Sequence, residues 1–212
     1  QEEASQLLAK KSLILGQEKE RIRLSKELHD GLGPLLTSLK LTVQRLDIES
    51  NIKKDITQVI DNTVQEVRRM TYDLMPPALV DFGVGKAMSN FVRMVKKSGS
   101  IDIHYEDGTK HDQTKISSDL DVCLFRVCQE LINNALKHSG ASKIAITLTE
   151  FEQAVNLFYT DNGKGFDPES VHSGSGLRNI RERVAVFDGY VQISSSETGT
   201  QVEIEIPLHE PN

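Results

Sequence analysis

Apolar residues recur at steps of three and four through much of the first 75 positions. From Leu28 they fall at Leu32, Leu35, Leu39, Val43 and Leu46, a spacing near 3.5 that predicts a helix with a sustained packing seam. A polar stretch at 47–51 interrupts it. A second seam follows at Ile52, Ile56, Val59, Thr63, Val67, Met70 and Leu74. Two such helices joined by a short loop make an antiparallel hairpin. One hairpin buries little of a seam this long, so pairing two of them into a four-helix bundle is the simplest solution, and a homodimer is expected. Further upstream, Leu8, Ile14 or Leu15, and Ile22 lie among charges of both signs, with Gly16 as an interruption. That pattern reads as a signalling coiled coil entering the bundle, or as a solvated helix.

Pro76 and Pro77 end the second helix, because proline lacks the donor the helical ladder needs and pushes the preceding residue out of the α region. A domain boundary is expected there. Beyond it the pattern predicts helices near 83–97, 118–138 and 177–187. Strands are predicted near 101–105, 144–149, 155–160, 190–195 and 201–206. The predicted class is α+β: the helical hairpin, then an α/β sandwich with a mixed sheet. The expected domains are 1–17, 18–77 and 78–212.

Composition narrows the function classes. The 25 Lys and Arg face 31 Asp and Glu, a net charge of −6, and no basic block is present to neutralise phosphates, so direct binding to nucleic acid is not expected. The two cysteines, Cys123 and Cys128, lie in an apolar periodic segment and read as small core residues in a reducing cytoplasmic setting. No apolar run reaches the roughly 18 to 20 residues needed to cross a bilayer. The sequence starts at Gln1 without an initiator methionine, so a fragment of something longer is expected, with any sensor or membrane span lying upstream.

Candidate chemistry begins in the helix over 118–138. Glu130 and Asn134 stand four apart and project from one face, with Lys137 a turn further on. A carboxylate and an amide at that spacing offer hard oxygen donors to Mg²⁺, which takes few protein ligands, and a lysine nearby meets phosphate charge; an exposed polar face is the plainer alternative. Downstream, "YTDNGKGF" puts Asp161 at the end of an apolar strand ahead of Gly163 and Gly165. "HSGSGLRNIRER" then puts Gly174 and Gly176 before a helix, whose first N–H groups are free for phosphate oxygens. Asp161 can accept a hydrogen bond from an exocyclic adenine amine, or simply start a turn. "SSETGTQVEIEIP" sets Gly199 and Thr200 at the entry to the last strand.

In combination and in this order, these motifs resemble the ATP-binding domain shared by gyrase, a heat-shock chaperone class, mismatch-repair ATPases and two-component histidine kinases. The resemblance implies ATP and Mg²⁺ as cofactors, with Asn134 as a metal ligand and Glu130 and Lys137 serving metal and phosphates. It further implies that Asp161 reads the adenine amine, that Gly163 and Gly165 shape the adenine pocket, that Gly174, Gly176 and Leu177 border the ATP lid, and that Thr200 supports Asp161. His138 and Arg126 are further candidates to face the phosphates.

The first half selects a branch. "RIRLSKELHDGLGPLL" resembles the phosphoacceptor box of sensor histidine kinases whose partners are helix-turn-helix response regulators. It implies that His29 takes the γ-phosphate through one imidazole nitrogen while Asp30 takes or orients the proton on the other. The phosphoryl group then passes to an aspartate on a regulator's receiver domain. In this subfamily the residue four beyond the aspartate is commonly a glutamine serving dephosphorylation of the partner. Here it is Pro34, which has no side-chain donor, so weak phosphatase activity is expected, together with a kink in the first helix. Asn179 replaces a frequent glycine. By the same resemblance the whole protein is expected at the inner membrane of a bacterium, with this part cytoplasmic. The rival reading is a non-catalytic dimeric scaffold that binds ATP only to set its conformation. Its signature would be a lost acceptor or metal residue, and His29, Asp30, Glu130, Asn134 and Asp161 are all retained.

Overall fold

Both apolar seams fold as helices, α1 (Glu2–Arg45) and α2 (Ser50–Leu74), joined by 46–49. The computed structural model describes residues 2–97, 99, 101–166 and 175–208. The loop is shorter than the polar stretch suggests, because Ser50 and Asn51 sit in the first turn of α2, where short polar side chains are well tolerated. Met75 caps α2, its N–H bonding the Thr71 carbonyl. The chain divides into two compact units, Ser12–Pro77 and Ala78–Asn212, the second also counting Gln1–Lys11.

In the first unit Val43 and Ile60 are buried, and Lys40 Nζ pairs with Asp61 at 2.6 Å. The hydroxyl of buried Ser25 reaches the carbonyls of Thr71 and Met75 at 3.1 and 2.9 Å, fastening the helices at the end away from the loop. Most of the seam stays open: Leu32, Leu35, Leu39, Leu46, Ile52, Ile56, Val59 and Met70 are exposed, Leu35 by 66% and Val59 by 63%. α1 continues through Pro34, so the proline does not end the helix. Its ring nonetheless removes the N–H that would bond the carbonyl of Asp30.

The second unit is a five-stranded mixed sheet in the order β1-β2-β3-β5-β4, formed by β1 (Asp102–Gly108), β2 (Lys143–Glu150), β3 (Ala154–Asp161), β4 (Tyr190–Ser196) and β5 (Gly199–Pro207). β1 and β2 are parallel, and the remaining pairs are antiparallel. In β2, β3 and β5, alternate residues such as Ile146, Leu157 and Ile204 are buried while their neighbours are partly or wholly exposed. This alternation leaves one sheet face covered by helices and one facing solvent. The helices are α3 (Pro77–Lys97), α4 (Ser118–Asn134) and α5 (Ser175–Ala185). α3 and α4 meet edge to face at Phe91 and Phe125, ring centres 5.7 Å apart, and α5 packs on α4 and β4. Cys123 and Cys128 are free and buried, and burial pushes the Cys128 thiol up. Among the described residues no helix is long and apolar enough to cross a membrane.

α3 begins at Pro77, six residues before the predicted start. Proline is well suited to a first helical position, where its missing N–H has no partner to lose. Gly83, at φ 73° and ψ −177°, then breaks the helix inside α3. The second half restarts at Val84, whose N–H donates to Asp121 Oδ1 of α4 at 2.8 Å. Asp121 thus caps a helix on a different element, doing from a distance what a local N-cap does. Burial first, and the Glu150 charge after it, push its carboxyl up to about 6, although the Val84 bond works in the opposite direction.

Because the folded carboxyl holds its proton more tightly than the unfolded one, Asp121 contributes stability below about pH 4 that is lost as pH rises through about 6. Asp121→Asn keeps an oxygen for Val84 and has no charge to bury. It is therefore expected to gain stability over the native chain as pH climbs from 4 to 7, with no further change above. Asp121→Ala is expected to lose about 1 kcal/mol at pH 5. Urea unfolding of the three chains across that pH range checks both; a stability difference between Asn and Asp that stays constant with pH would contradict the assignment.

Candidate functional site

The site is built where α4 runs out and β3 and β5 end side by side. Ser117 caps the start of α4, its hydroxyl accepting from Leu120 N. At the other end the helix widens into a π-helical turn, Ala135–Ser139, stopped by Gly140 in the left-handed conformation. Glu130 and Asn134 therefore stand on the last turns of a regular helix, with Lys137 and His138 on the wider turn. All four line one cleft of about 580 Å³. Asp161, Gly165, Gly176, Leu177 and Thr200 line the same cleft, with Tyr159, Lys164 and Phe166.

Asp161 is held by two donors. Oδ1 accepts from Gly163 N at 2.8 Å and Oδ2 from the Tyr159 hydroxyl at 2.9 Å. Thr200, buried, is its register partner on β5 and shares a 3.1 Å hydroxyl contact with Ser195. Ser195 Oγ also accepts from Phe166 N at 2.9 Å, which ties the glycine loop to β4. A second tie joins the loop to the end of α4: Lys164 N donates to Ser139 O at 2.8 Å, while the Ser139 hydroxyl donates to Ala135 O and accepts from Ala141 N.

Close approach explains two of the glycines. A Cβ on Gly163 would meet the Ser139 side chain and carbonyl, and one on Gly165 would overlap the Ser196 carbonyl oxygen. At Gly176 a Cβ would overlap Glu130 Oε1 and sit 3.1 Å from Asn134 Nδ2, so the start of α5 lies directly over the Glu-Asn pair. A carboxylate and a side-chain amide line the same cleft wall, with lysine and histidine beyond, and residues of these types offer oxygen donors that suit Mg²⁺ and charge that suits phosphate.

The predicted site residues thus converge, with four qualifications. Gly163 does not itself line the cleft, although its N–H holds Asp161. Gly174 and most of the expected lid lie outside the described residues. Arg126 does not line the cleft; it is buried on α4, one turn further than Glu130 from the helix end that borders the cleft, and its Nη1 donates to Gln129 at 2.8 Å. His29 and Asp30 belong to the first unit, exposed on α1. Tyr159, Ser139 and Ser195 were not predicted. The last two act on backbone groups, which leave no spacing signature; Tyr159 shares the strand face of Asp161 two residues on, a pattern that could have identified it.

Residues 20–79 match the family described as "Histidine kinase", and residues 120–210 the one described as "Histidine kinase-, DNA gyrase B-, and HSP90-like ATPase". The chain is 32% identical over 204 residues to the sensor histidine kinase MctS of Rhizobium johnstonii, covering 90% of this chain and 44% of that protein. It is 30% identical over 207 residues to the signal transduction histidine-protein kinase/phosphatase DegS of Brevibacillus brevis, covering 92% and 53%. The chain spans about half the length of these curated relatives. Among solved structures, the histidine kinase domain of the blue-light activated histidine kinase from Erythrobacter litoralis is similar in fold. Its TM-score is 0.55 at 14% identity, covering 82% of this chain and 96% of that one.

The glycine contacts carry a test. Gly165→Ala is expected to cost about 1–3 kcal/mol by forcing the loop away from β4. Gly16→Ala, with nothing within 4 Å of the added carbon and a helical backbone on α1, is expected to gain about 0.5–1 kcal/mol. Thermal unfolding of the two variants, moving in opposite directions, checks the assignment.

Proposed function

We propose that this chain, which belongs to the histidine kinases, binds ATP with Mg²⁺ in the cleft of its second unit and passes the γ-phosphoryl group to His29. The observation that carries the reading is the cleft itself. Glu130 and Asn134 at the end of α4, Lys137 and His138 just beyond it, Asp161 on β3, and Gly165 and Gly176 all line one cavity.

Within it, Glu130 and Asn134 would hold Mg²⁺, which when bound neutralises charge on the phosphates. Lys137 and His138 stand where phosphate oxygens can be met, and Asp161 accepts from the adenine amine, with Thr200 beside it. The step itself is phosphoryl transfer, governed mostly by positioning and electrostatics. One nitrogen of neutral His29 attacks the γ-phosphorus; the N–P bond forms as the bond to the bridging oxygen breaks, and ADP leaves. The proton on the second nitrogen is taken or oriented by Asp30. Exposure of both side chains supports this role, since an acceptor histidine has to meet the nucleotide and then a partner.

We assign the next acceptor as an aspartate on a response-regulator receiver domain. The open seam on α1 and α2 supports a homodimer built as a four-helix bundle, and attachment of the whole protein to a bacterial inner membrane would come through a segment upstream of this one. Pro34, with no side-chain donor to position water, supports weak phosphatase activity toward the phosphorylated regulator.

Incubation with γ-labelled ATP and Mg²⁺ tests the core of this. Label stable to base and lost in acid is expected on the native chain and absent from His29→Gln and Asn134→Ala. ATP binding without label would favour the scaffold. A homodimer is expected in light scattering at micromolar concentration; a monomer there would remove the bundle. Rapid dephosphorylation of a regulator stimulated by this chain would contradict the reading of Pro34.

A further inference from the structure

Tyr159 stands out among the residues around the cleft that carry no role so far. Its ring is fully buried in β3, and a buried tyrosine hydroxyl needs a partner. Two acceptors lie within reach: Asp161 Oδ2 at 2.9 Å and the Leu131 carbonyl at 3.5 Å. The phenol has one proton, and the shorter, charge-assisted contact takes it. Burial foremost, and then the Asp161 charge, push the phenol well above its ordinary range, so near neutral pH it remains a donor.

Strand alternation is what brings the pair together, since residues two apart on β3 face the same way. With Gly163 N on Oδ1 and Tyr159 Oη on Oδ2, each carboxylate oxygen is fixed by one donor and keeps a lone pair for a ligand. Among the described residues, Asp161 without the hydroxyl would retain only the Gly163 bond, on one oxygen, and its other oxygen could turn away. The hydroxyl also stands next to Leu131, the neighbour of Glu130 on α4, and so lies between the helix that carries the metal candidates and the aspartate that faces the base.

We propose that Tyr159 is a positioning residue for base recognition: its hydroxyl locks Asp161 in the orientation that accepts an exocyclic amine, so preference for an amino-purine over an oxo-purine depends on Tyr159. The proposal rests on the reading of Asp161 given under Proposed function. An amine donates to the locked carboxylate, whereas a carbonyl at the same place sets acceptor against acceptor. Removal of the hydroxyl therefore weakens binding of the amine-bearing nucleotide and leaves the other nearly unchanged.

Calorimetric titration of the full chain with ADP and with IDP, in Mg²⁺, tests this on the native protein and on Tyr159→Phe. The native chain is expected to prefer ADP by roughly 30-fold or more. Tyr159→Phe is expected to lose about 10-fold toward ADP and less than about 2-fold toward IDP, so that the preference collapses. A variant that weakens both nucleotides equally, or neither, overturns the proposal, because a merely structural role would leave the ratio intact. A native chain that binds ADP and IDP alike overturns the reading of Asp161, and the proposal with it. Tyr159→Met, which fills the site flexibly and also lacks the hydroxyl, makes the same comparison should Tyr159→Phe not melt cooperatively.

Discussion

The contact on which the cleft depends is the backbone of residues 162–166 lying against the end of α4. Gly163 packs on Ser139 with no room for a side chain, and the Lys164 N–H bond to the Ser139 carbonyl locks that approach. Move this loop out by the width of a methyl group and two consequences follow together. Asp161 Oδ1 loses the Gly163 N–H that orients it, and the wall formed by Gly165 and Phe166 leaves the cleft. Glycine is required here for space and not for backbone freedom, since neither Gly163 nor Gly165 adopts a positive φ. Close packing against another backbone makes such positions intolerant of even one added carbon.

The chemistry is divided between two kinds of support. Glu130 and Asn134 sit on a regular helix whose other face is part of the core, with Leu131 and Ile132 buried between them, so their positions relative to each other are fixed by helical geometry. Asp161 and Thr200 sit at the ends of paired strands, fixed by the sheet register. Lys137 and His138 are different: they occupy a π turn and are exposed. On the proposed reading, the groups that discriminate sit on a regular helix and paired strands, and those that supply charge sit on the turn beyond.

Much of this was legible in the sequence because it rests on periodicity. The 3.5-residue seams gave α1 and α2, and alternation gave the sheet, since burial on one face imposes those repeats directly. The α4 pair and the glycine boxes were visible because they combine spacing with residue type. What stayed hidden was tertiary. Asp121 capping the restart of α3 joins residues 37 apart, and Ser139 and Ser195 act on backbone atoms brought near only by folding. The early start of α3 was masked by treating Pro77 solely as a helix stop, when proline is equally at home in a first turn. Arg126, offered by the resemblance as a candidate to face the phosphates, is instead buried on α4 away from the cleft lining.

The two units also differ in how their apolar surface is spent, and that difference bears on what each can do alone. The second unit closes its own core: Leu124, Phe125, Ile132, Ile146, Leu148, Leu157 and Ile206 are almost wholly buried, and a sheet under three helices needs nothing further to cover it. In the first unit Val43 is the one buried seam residue, with Ile60 buried beside the second seam, and a two-helix hairpin offers no third element to cover the rest. Large exposed apolar rows mark association surfaces on a folded chain, and a seam with coiled-coil spacing is shaped to accept another of its kind. His29 directly follows Leu28 of that seam and is itself exposed, so, if it is the phosphoacceptor as proposed, it stays reachable when the surface beside it is covered.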